Sequence, residues 1–270
     1  KWKDQLSNGI RYDIGLVLSD YQSIVVKFTG NPNGLLNTLY DGMKMGEIWG
    51  YETVGILQEN DFTIDENGKY ILNGPDQTEI LANHYPGDIR YADLDGDGKI
   101  SKGDNTIDNH GDKKVIGNYT PRFQYGITGN ISWKNFDLNI FFQGIAKKDV
   151  WISENVFWGG SDTAGNWEMY NNSWTPERTD AKYPMYAGRI SSVAQTGYMF
   201  NGAYLRLKTL ALGYTLPREW TSKAKLSTVR LSLSGYNLFE ITQIPDLYDP
   251  DQISSAYPMM RSVAFGLQVG

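Results

Sequence analysis

Strict alternation of apolar and polar residues is the feature that most constrains this chain. From Arg122 to Trp133, five apolar side chains fall on one face and short polar side chains fall on the other: Phe123, Tyr125, Ile127, Ile131 and Trp133 against Gln124, Thr128, Asn130 and Ser132. A period of two residues places alternate side chains on opposite faces of a β-strand. The segment is therefore predicted to be a strand of an antiparallel sheet.

The same pattern recurs along the chain. After Lys134 and Asn135 it resumes at Phe136, which predicts a tight hairpin. Further strands are predicted at about Arg11–Ser19, Tyr204–Leu216, Val229–Phe239 and Arg261–Val269, which makes about six strands that are long enough to cross a bilayer. Within Tyr204–Leu216 the apolar face switches sides between Leu207 and Leu210, which indicates a β-bulge.

The second face of these strands distinguishes two kinds of β-protein. A soluble sandwich presents Lys, Glu and Arg to water there, whereas these segments carry mostly Gln, Thr, Asn, Ser and Gly. Small uncharged residues of this kind line the lumen of membrane barrels. The aromatic residues Trp133 and Phe136 flank the hairpin turn, where an interfacial girdle would lie. The fold class predicted is all-β, a transmembrane antiparallel β-barrel with long extracellular loops.

Connection lengths alternate between short and long. Short turns follow Trp133 and Pro217, and long connections run from about Thr29 to Pro121, Ala146 to Asn201 and Glu240 to Met260. Outer-membrane barrels have short periplasmic turns and long outer loops. About six strands cannot close a barrel, and an open wall would leave unpaired edges in lipid. We therefore expect the chain to be part of a larger barrel.

Composition excludes several functions. The net charge of −6 offers no basic face, so no nucleic-acid partner is expected. The chain has no cysteine and only two histidines, and it lacks paired carboxylates at glycosidase spacing, a nucleophile elbow and a phosphate-binding loop, so it is predicted not to be an enzyme. It contains no apolar stretch long enough for a membrane helix and no signal peptide.

Several motifs resemble one family of transporters. They are Met45–Thr53 (MGEIWGYET), Pro86–Tyr91 (PGDIRY), Asp93–Ile100 (DLDGDGKI), Ile116–Asn118 with Pro121–Arg122, Phe141–Gly144 (FFQG), Trp174–Glu177 (WTPE), Tyr204–Lys208 (YLRLK), Leu212–Pro217 (LGYTLP) and Gly235–Phe239 (GYNLF). Together they span nearly the whole chain. The sequence in this respect resembles the C-terminal part of the SusC/RagA family of TonB-dependent outer-membrane transporters of Bacteroidetes.

The resemblance implies an architecture and a set of partners. It implies the C-terminal strands of a 22-stranded barrel over residues 1–270, with the plug domain and the N-terminal strands absent from this chain. The family imports oligosaccharides or peptides, works with a SusD-like surface lipoprotein, and receives energy from TonB-ExbB-ExbD through the plug. The expected location is the bacterial outer membrane, in contact with its lipid. The final aromatic residue usual in such barrels is missing at Gly270.

A candidate metal site lies between Asp93 and Asp104. The spacing matches a calcium loop, with Asp93, Asp95 and Asp97 at positions one, three and five, Gly98 at the bend, and then Lys99, Ser101 and Asp104. A structural Ca²⁺ would be held by carboxylates, the Lys99 carbonyl and Ser101. Position twelve is Asp rather than Glu and no amphipathic helix flanks the loop, so a calcium-sensor helix pair is excluded. The alternative is an Asp-Gly turn that binds nothing.

Aromatic residues cluster in the connection after the central hairpin. Five of them are candidates for contact with substrate or partner, because flat aromatic faces suit both: Trp151, Trp158, Trp167, Tyr170 and Trp174. The alternative is that these residues, with Phe157 of the same cluster, pack this loop onto itself. A second function therefore remains open, a secreted or surface β-sandwich that binds glycan with the aromatic loop as its platform and the calcium loop as a brace.

Overall fold

The computed structural model describes residues 1–158, 167–186, 193–253 and 259–270. Parts of two predicted loops, residues 159–166, 187–192 and 254–258, lie outside the described residues. By compactness the chain divides into two units. The sheet unit comprises Lys1–Tyr21, Pro121–Lys148 and Asn201–Gly270, and the loop unit comprises Gln22–Thr120 and Asp149–Phe200.

The described strands are numbered in chain order. They are β1 (Trp2–Gln5), β2 (Arg11–Ser19), β3 (Glu47–Tyr51), β4 (Thr53–Ile56), β5 (Phe62–Ile64), β6 (Tyr70–Leu72), β7 (Ile89–Tyr91), β8 (Lys113–Asn118), β9 (Arg122–Trp133), β10 (Phe136–Lys147), β11 (Asp149–Trp151), β12 (Met199–Asn201), β13 (Tyr204–Thr215), β14 (Val229–Tyr236), β15 (Glu240–Thr242) and β16 (Ser262–Val269).

The described helices are short. They are α1 (Asn155–Trp158), α2 (Trp167–Asn171) and α3 (Arg218–Thr221), with 3₁₀ turns at Glu59–Asp61, Thr196–Tyr198 and Ser222–Ala224. None of the described helices is long and apolar enough to cross a membrane.

The sheet unit is built on one antiparallel sheet of eight strands. Its order is β1-β2-β9-β10-β13-β14-β16, and β15 pairs with one end of β13. The long predicted strands are confirmed to within a residue or two at most ends, including the hairpin turn at Lys134, which has a positive φ of 53°. The predicted count of about six long strands is confirmed by β2, β9, β10, β13, β14 and β16. The sheet also contains β1 and β15, which were not predicted because they are too short to give a periodic pattern.

The predicted bulge is confirmed in β13. Phe142 pairs with Leu207 and the adjacent Phe141 pairs with Thr209, so Lys208 is the extra residue. The predicted strand Val229–Phe239 was too long, because β14 ends at Tyr236. Asn237 follows with a φ of 51°, and its N–H donates to the Lys208 carbonyl, so the chain turns where Asn tolerates the left-handed conformation.

The strand registers place side chains of similar polarity opposite one another, so that they form continuous rows across the sheet. One row is apolar across the six strands from β2 to β16: Tyr12, Ile131, Leu138, Leu212, Leu233 and Phe265. The adjacent row on the other face is polar or small: Asp13, Asn130, Asn139, Ala211, Ser234 and Ala264. Alternation within each strand has therefore become a sheet with one apolar and one polar face.

The apolar face is exposed in this chain. Phe265 keeps 71% of its surface, and Phe123, Ile127 and Leu233 are also exposed. A soluble sandwich would bury these side chains against a second sheet. The loop unit instead contains small two-stranded sheets, β3-β8, β4-β7 and β5-β6, and β11 pairs with β12. Its core is rich in Tyr, Trp and Phe.

Candidate functional site

The polar face of the sheet carries a ladder of side-chain hydrogen bonds. The Asn139 amide donates to Asn130 Oδ1 at 2.6 Å, and the Asn130 amide donates to Asp13 Oδ1 at 3.0 Å. Lys1 Nζ lies 2.9 Å from the same Asp13 oxygen. Because these residues are direct cross-strand neighbours, the ladder follows from the register.

An ion pair spans β13 on this face. Arg230 on β14 donates to Asp137 on β10, with Nη2 2.7 Å from Oδ2, although the two strands are not neighbours. The intervening residue is Gly213, where an added Cβ would lie 2.6 Å from the guanidinium carbon. The absence of a side chain at Gly213 therefore opens the path between the two charges.

A second ionic cluster lies at the other end of β13. The Arg206 side chain is fully buried and donates to three acids: Glu240 at 3.2 Å, Asp249 at 2.8 Å and Asp251 at 2.9 Å. The Tyr204 hydroxyl also donates to Asp251. These contacts fix the segment after β15 to the strand, because a buried guanidinium requires its partners. Sequence reasoning identified Tyr204–Lys208 only as a motif.

Electrostatics support this attachment. Burial raises the pKa of Asp249, but hydrogen bonds from Arg206, from the Asp251 N–H and from the Met259 N–H outweigh that effect and hold the pKa below its ordinary value of 3.8. Asp249 is thus ionised at neutral pH and pairs with Arg206 as a carboxylate.

The turn flanked by aromatic residues lies at the short-turn end. Trp133 pairs with Phe136, which pairs with Tyr214, and the Phe136 and Tyr214 rings are 4.4 Å apart. Lys134 Nζ lies 4.7 Å from the Trp133 ring centroid. Trp133 and Phe136 are exposed, as residues of an interfacial girdle are.

In the loop unit, the acidic loop folds into turns stabilised by its own carboxylates. Asp93 accepts hydrogen bonds from the N–H groups of Gly96 at 2.7 Å and Gly98 at 2.9 Å, and Asp97 accepts one from the Lys99 N–H. Gly98 has a φ of 84°, as the predicted bend requires. Asp104 instead accepts a hydrogen bond from the Asn109 amide.

The acids that converge are not the full predicted set. Among the described residues, the carboxylates of Asp93, Asp95 and Asp112 lie within 4.8 Å of one another. Asp112 is fully buried and accepts hydrogen bonds from the N–H groups of Leu94 at 2.6 Å and Ser101 at 2.7 Å. Asp97 and Asp104 do not belong to this group of carboxylates. Lys99 and Ser101 were predicted to contribute a carbonyl and a hydroxyl oxygen, and they remain predictions. Asp112 was missed because it lies beyond the twelve-residue calcium-loop spacing.

The five candidate aromatic residues separate into two groups. Trp158 is buried, with its indole N–H donating to the Ile152 carbonyl at 2.6 Å, and its ring lies 5.4 Å from that of the half-buried Trp151. Trp174 is also buried, and its indole N–H donates to Gln58 Oε1 at 2.9 Å. These three therefore pack the loop unit, which is the alternative that the sequence left open.

Trp167 and Tyr170 are the two that face solvent. Trp167 is 77% exposed, and its ring meets that of Tyr170 edge to face at 5.9 Å. Tyr170 also contacts Tyr186 edge to face. Of the five candidates, this pair is therefore the most accessible to a substrate or partner.

Two family-like motifs meet at Gly87. Its φ is 94°, and an added Cβ would lie 2.6 Å from the Trp174 ring and 2.6 Å from Met185 Cβ. The Met185 N–H donates to the Gly87 carbonyl at 2.8 Å. Two of the motifs, Pro86–Tyr91 and Trp174–Glu177, therefore lie against each other. The missing side chain at Gly87 leaves the space that the Trp174 ring fills.

The curated relatives of the chain are TonB-dependent receptors. No protein-family profile matches the chain. TonB-dependent receptor P3 of Formosa agariphila is 34% identical over 246 residues, which cover 86% of this chain and 22% of the relative. TonB-dependent receptor P26 of the same organism is 27% identical over 203 residues, which cover 68% of this chain and 19% of the relative. The chain thus spans about a fifth of the length of these relatives.

Solved structures give the same fold. The structure of the RagAB peptide transporter matches with a TM-score of 0.64 at 16% identity, over 99% of this chain and 28% of that chain. The RagAB peptide importer in the 'open-open' state matches with a TM-score of 0.63 at 17% identity, over 99% of this chain and 27% of that chain. At such identities the likeness concerns the fold.

Proposed function

Because the chain belongs to the TonB-dependent receptors of the SusC/RagA type, we propose that it forms part of the barrel wall and outer loops of an outer-membrane nutrient importer. The exposed apolar face of the sheet carries this proposal. It runs from Tyr12 to Phe265 across six paired strands, and lipid is the environment in which such a face is stable. No bond is made or broken, and passage is controlled by conformational change.

The polar face has the complementary role in this proposal. Asn130, Asn139 and Ser234 would face the lumen of the complete barrel, as small polar residues do in barrels with a filled or aqueous interior. The remaining strands of a 22-stranded barrel and its plug would close the wall. Energy would come from TonB-ExbB-ExbD through that plug, and a SusD-like lipoprotein would cover the outer mouth.

We propose an oligosaccharide as the nutrient, with a peptide as the competing outcome. The solved RagAB relatives are a peptide transporter, which makes peptide uptake the alternative that an experiment must separate. A soluble glycan-binding sandwich is not proposed, because the face that would form its core is exposed.

The proposed Ca²⁺ has a revised set of ligands. Asp93, Asp95 and Asp112 supply converging carboxylates, and hard oxygen ligands of this kind suit Ca²⁺. A bound ion would offset the repulsion between these carboxylates and stabilise the turns of the loop. The ion is proposed as structural, with no part in transport chemistry.

Growth of a deletion strain tests the transport proposal. The gene for the full-length protein is deleted, and growth is measured on defined oligosaccharides and on defined peptides as sole nutrient. We expect loss of growth on at least one oligosaccharide, restored by the wild-type gene and abolished again by a protonophore. Loss of growth on peptides alone would identify peptides as the nutrient instead of oligosaccharides. Unchanged growth on every nutrient would contradict import.

A further inference from the structure

Four basic side chains in the turns at one end of the sheet have no role in the function proposed so far. Three turns lie at this end, residues 6–10, 134–135 and 216–228, because they connect β1 to β2, β9 to β10 and β13 to β14. They contain one acid, Glu219, and four cations: Lys134, Arg218, Lys223 and Lys225. Together these four cations form what we call the basic turn cluster.

The charge of the basic turn cluster is not neutralised by ion pairs. All four side chains are exposed, and within the described part of the chain none of them forms an ion pair. Exposed cations elsewhere do pair, such as Lys182 with Glu168 and Arg261 with Glu240. The whole chain has a net charge of −6, so the excess of cations is local. A local excess of this kind attracts an anionic partner.

Lys134 connects the cluster to the apolar face of the sheet. Ile131 belongs to the apolar row, so Trp133, two residues further along the strand, lies on the same face. Lys134 Nζ lies 4.7 Å from the Trp133 ring centroid. The ammonium group therefore lies at the end of the apolar face, where a bilayer would meet water.

The turn 216–228 places a second tryptophan beside the cations. α3 continues into the 3₁₀ turn Ser222–Ala224, because Ser222 has a helical φ of −63° and ψ of −31°. Trp220 and Lys223 are three residues apart, which puts them on the same side of this helical segment. Trp220 is 60% exposed. An exposed indole next to cations is typical of the headgroup region of a membrane.

Backbone hydrogen bonds hold this turn in one conformation. The Leu226 N–H donates to the Thr221 carbonyl at 3.0 Å, and the Ser227 N–H donates to the Gly270 carbonyl at 2.7 Å. Lys225 has a φ of 57°, so a left-handed residue ends the helical segment. The basic side chains therefore extend from a fixed backbone, which lowers the entropic cost of binding.

We propose that the basic turn cluster binds the headgroup of an anionic phospholipid, whose acyl chains lie on the adjacent apolar face. The phosphate supplies the negative charge that the cations lack, and Trp133 and Trp220 lie at the level of the interface. A water-soluble anion would leave the adjoining apolar face uncovered, whereas a lipid matches both features. The inference rests on the proposed function for the wall that faces lipid, and it adds a preference for one lipid charge.

Fluorescence quenching beside the cluster tests the proposal. This chain has no cysteine, so Ser222→Cys introduces one labelling site into it for a fluorescent probe. The labelled full-length protein is placed in phosphatidylcholine vesicles. Phosphatidylglycerol or phosphatidylcholine with a nitroxide quencher near the top of one acyl chain is then added. We expect phosphatidylglycerol to quench the probe at a lower mole fraction than phosphatidylcholine does.

Replacement of the lysines measures the contribution of their charge. Lys134→Gln, Lys223→Gln and Lys225→Gln combined should lower the preference for phosphatidylglycerol at least about fivefold, since one cation near an anionic surface contributes about that factor. Arginine at the same three positions keeps the charge and should keep the preference. Glutamine at three exposed lysines of the loop unit, Lys27, Lys69 and Lys102, is the matched control and should also keep it.

Three results would overturn the proposal. They are equal quenching by the two lipids, an equal preference in the two glutamine variants, and displacement of phosphatidylglycerol by water-soluble glycerol phosphate, which would assign the cluster to a soluble anion. The quenching also separates this site from the proposed function. Equal quenching by both lipids would retain a wall that faces lipid and remove the site, whereas quenching by neither lipid would contradict the wall itself.

Discussion

Arg230 pairs with Asp137 across the bare backbone of Gly213, and the pair joins two strands that are not neighbours in the sheet. The contact depends on a glycine at one position of the intervening strand. It ties β10, β13 and β14 together on the polar face at the short-turn end. Its energy is modest, because both side chains are partly exposed.

Gly213→Ala should break this ion pair. The added methyl group would lie 2.6 Å from the Arg230 guanidinium carbon, so the arginine must move away. We expect a loss of no more than about 1 kcal/mol, measured as a lower thermal midpoint of the full-length protein in detergent. In an Asp137→Asn background the same substitution should have a smaller effect.

Gly15→Ala is the matched control for that prediction. Gly15 lies on the same polar face, and its nearest contact to an added Cβ is Thr128 Cβ at an ordinary 3.8 Å. It should leave the thermal midpoint nearly unchanged. Equal effects of the two alanines, or full additivity of Gly213→Ala with Asp137→Asn, would argue against the spanning pair.

Arg206→Ala should release the segment that carries Asp249 and Asp251. Removing a fully buried partner leaves acids without their cation, and such changes cost about 3–5 kcal/mol. The lower end is expected, because Asp251 and Glu240 keep some solvent contact. Hydrogen exchange over residues 243–253 measures the release. Arg261→Ala, which removes an exposed partner of Glu240, should leave that exchange unchanged.

The attachment of this segment should survive mild acid. The pKa of Asp249 is lowered in the folded protein, so its contribution is present above its ordinary value of 3.8 and is lost as pH falls through the lower folded value. The difference in thermal midpoint between wild type and Asp249→Asn should therefore stay constant from about pH 7 to 5 and close below about 3.8. A difference that closes near pH 6 would assign the attachment to another group.

Calcium should stabilise the full-length protein by binding to the cluster of Asp93, Asp95 and Asp112. Addition of Ca²⁺ after chelation should raise the thermal midpoint, because the ion binds the folded loop only. Asp95→Asn should remove this increment while Asp108→Asn, at an exposed acid outside the cluster, should preserve it. Asp112→Asn should lower the midpoint even without Ca²⁺, since Asp112 also accepts two backbone hydrogen bonds. An increment that persists in Asp95→Asn would contradict the ligand set.

Local periodicity was sufficient to predict the long strands. A strand with one apolar and one polar face must alternate apolar and polar residues along its length. The switch of face between Leu207 and Leu210 even located the bulge at Lys208. Short strands such as β1 and β15 carry too few residues for a period to be recognised. Their pairing depends on neighbours that are distant in sequence.

The ionic and acidic clusters could not be predicted in the same way. Arg206 meets Asp249 and Asp251 across more than forty residues, and nothing in the spacing selects these acids over others in the loop. Asp112 joins Asp93 only through a turn that the calcium-loop pattern does not contain. Likewise, exposure separated Trp167 and Tyr170 from the buried tryptophans, which composition alone cannot do.

Spin-label accessibility along β14 tests the central claim most directly. Single labels at each residue from Val229 to Tyr236 of the full-length protein in lipid bilayers are probed with oxygen, which concentrates in lipid, and with a water-soluble nickel complex. Leu231 and Leu233 should be accessible to oxygen, and their neighbours Ser232 and Ser234 should not be. Labels at Leu231 and Leu233 that are shielded from both probes would mean that protein covers this face, and would contradict a wall facing lipid.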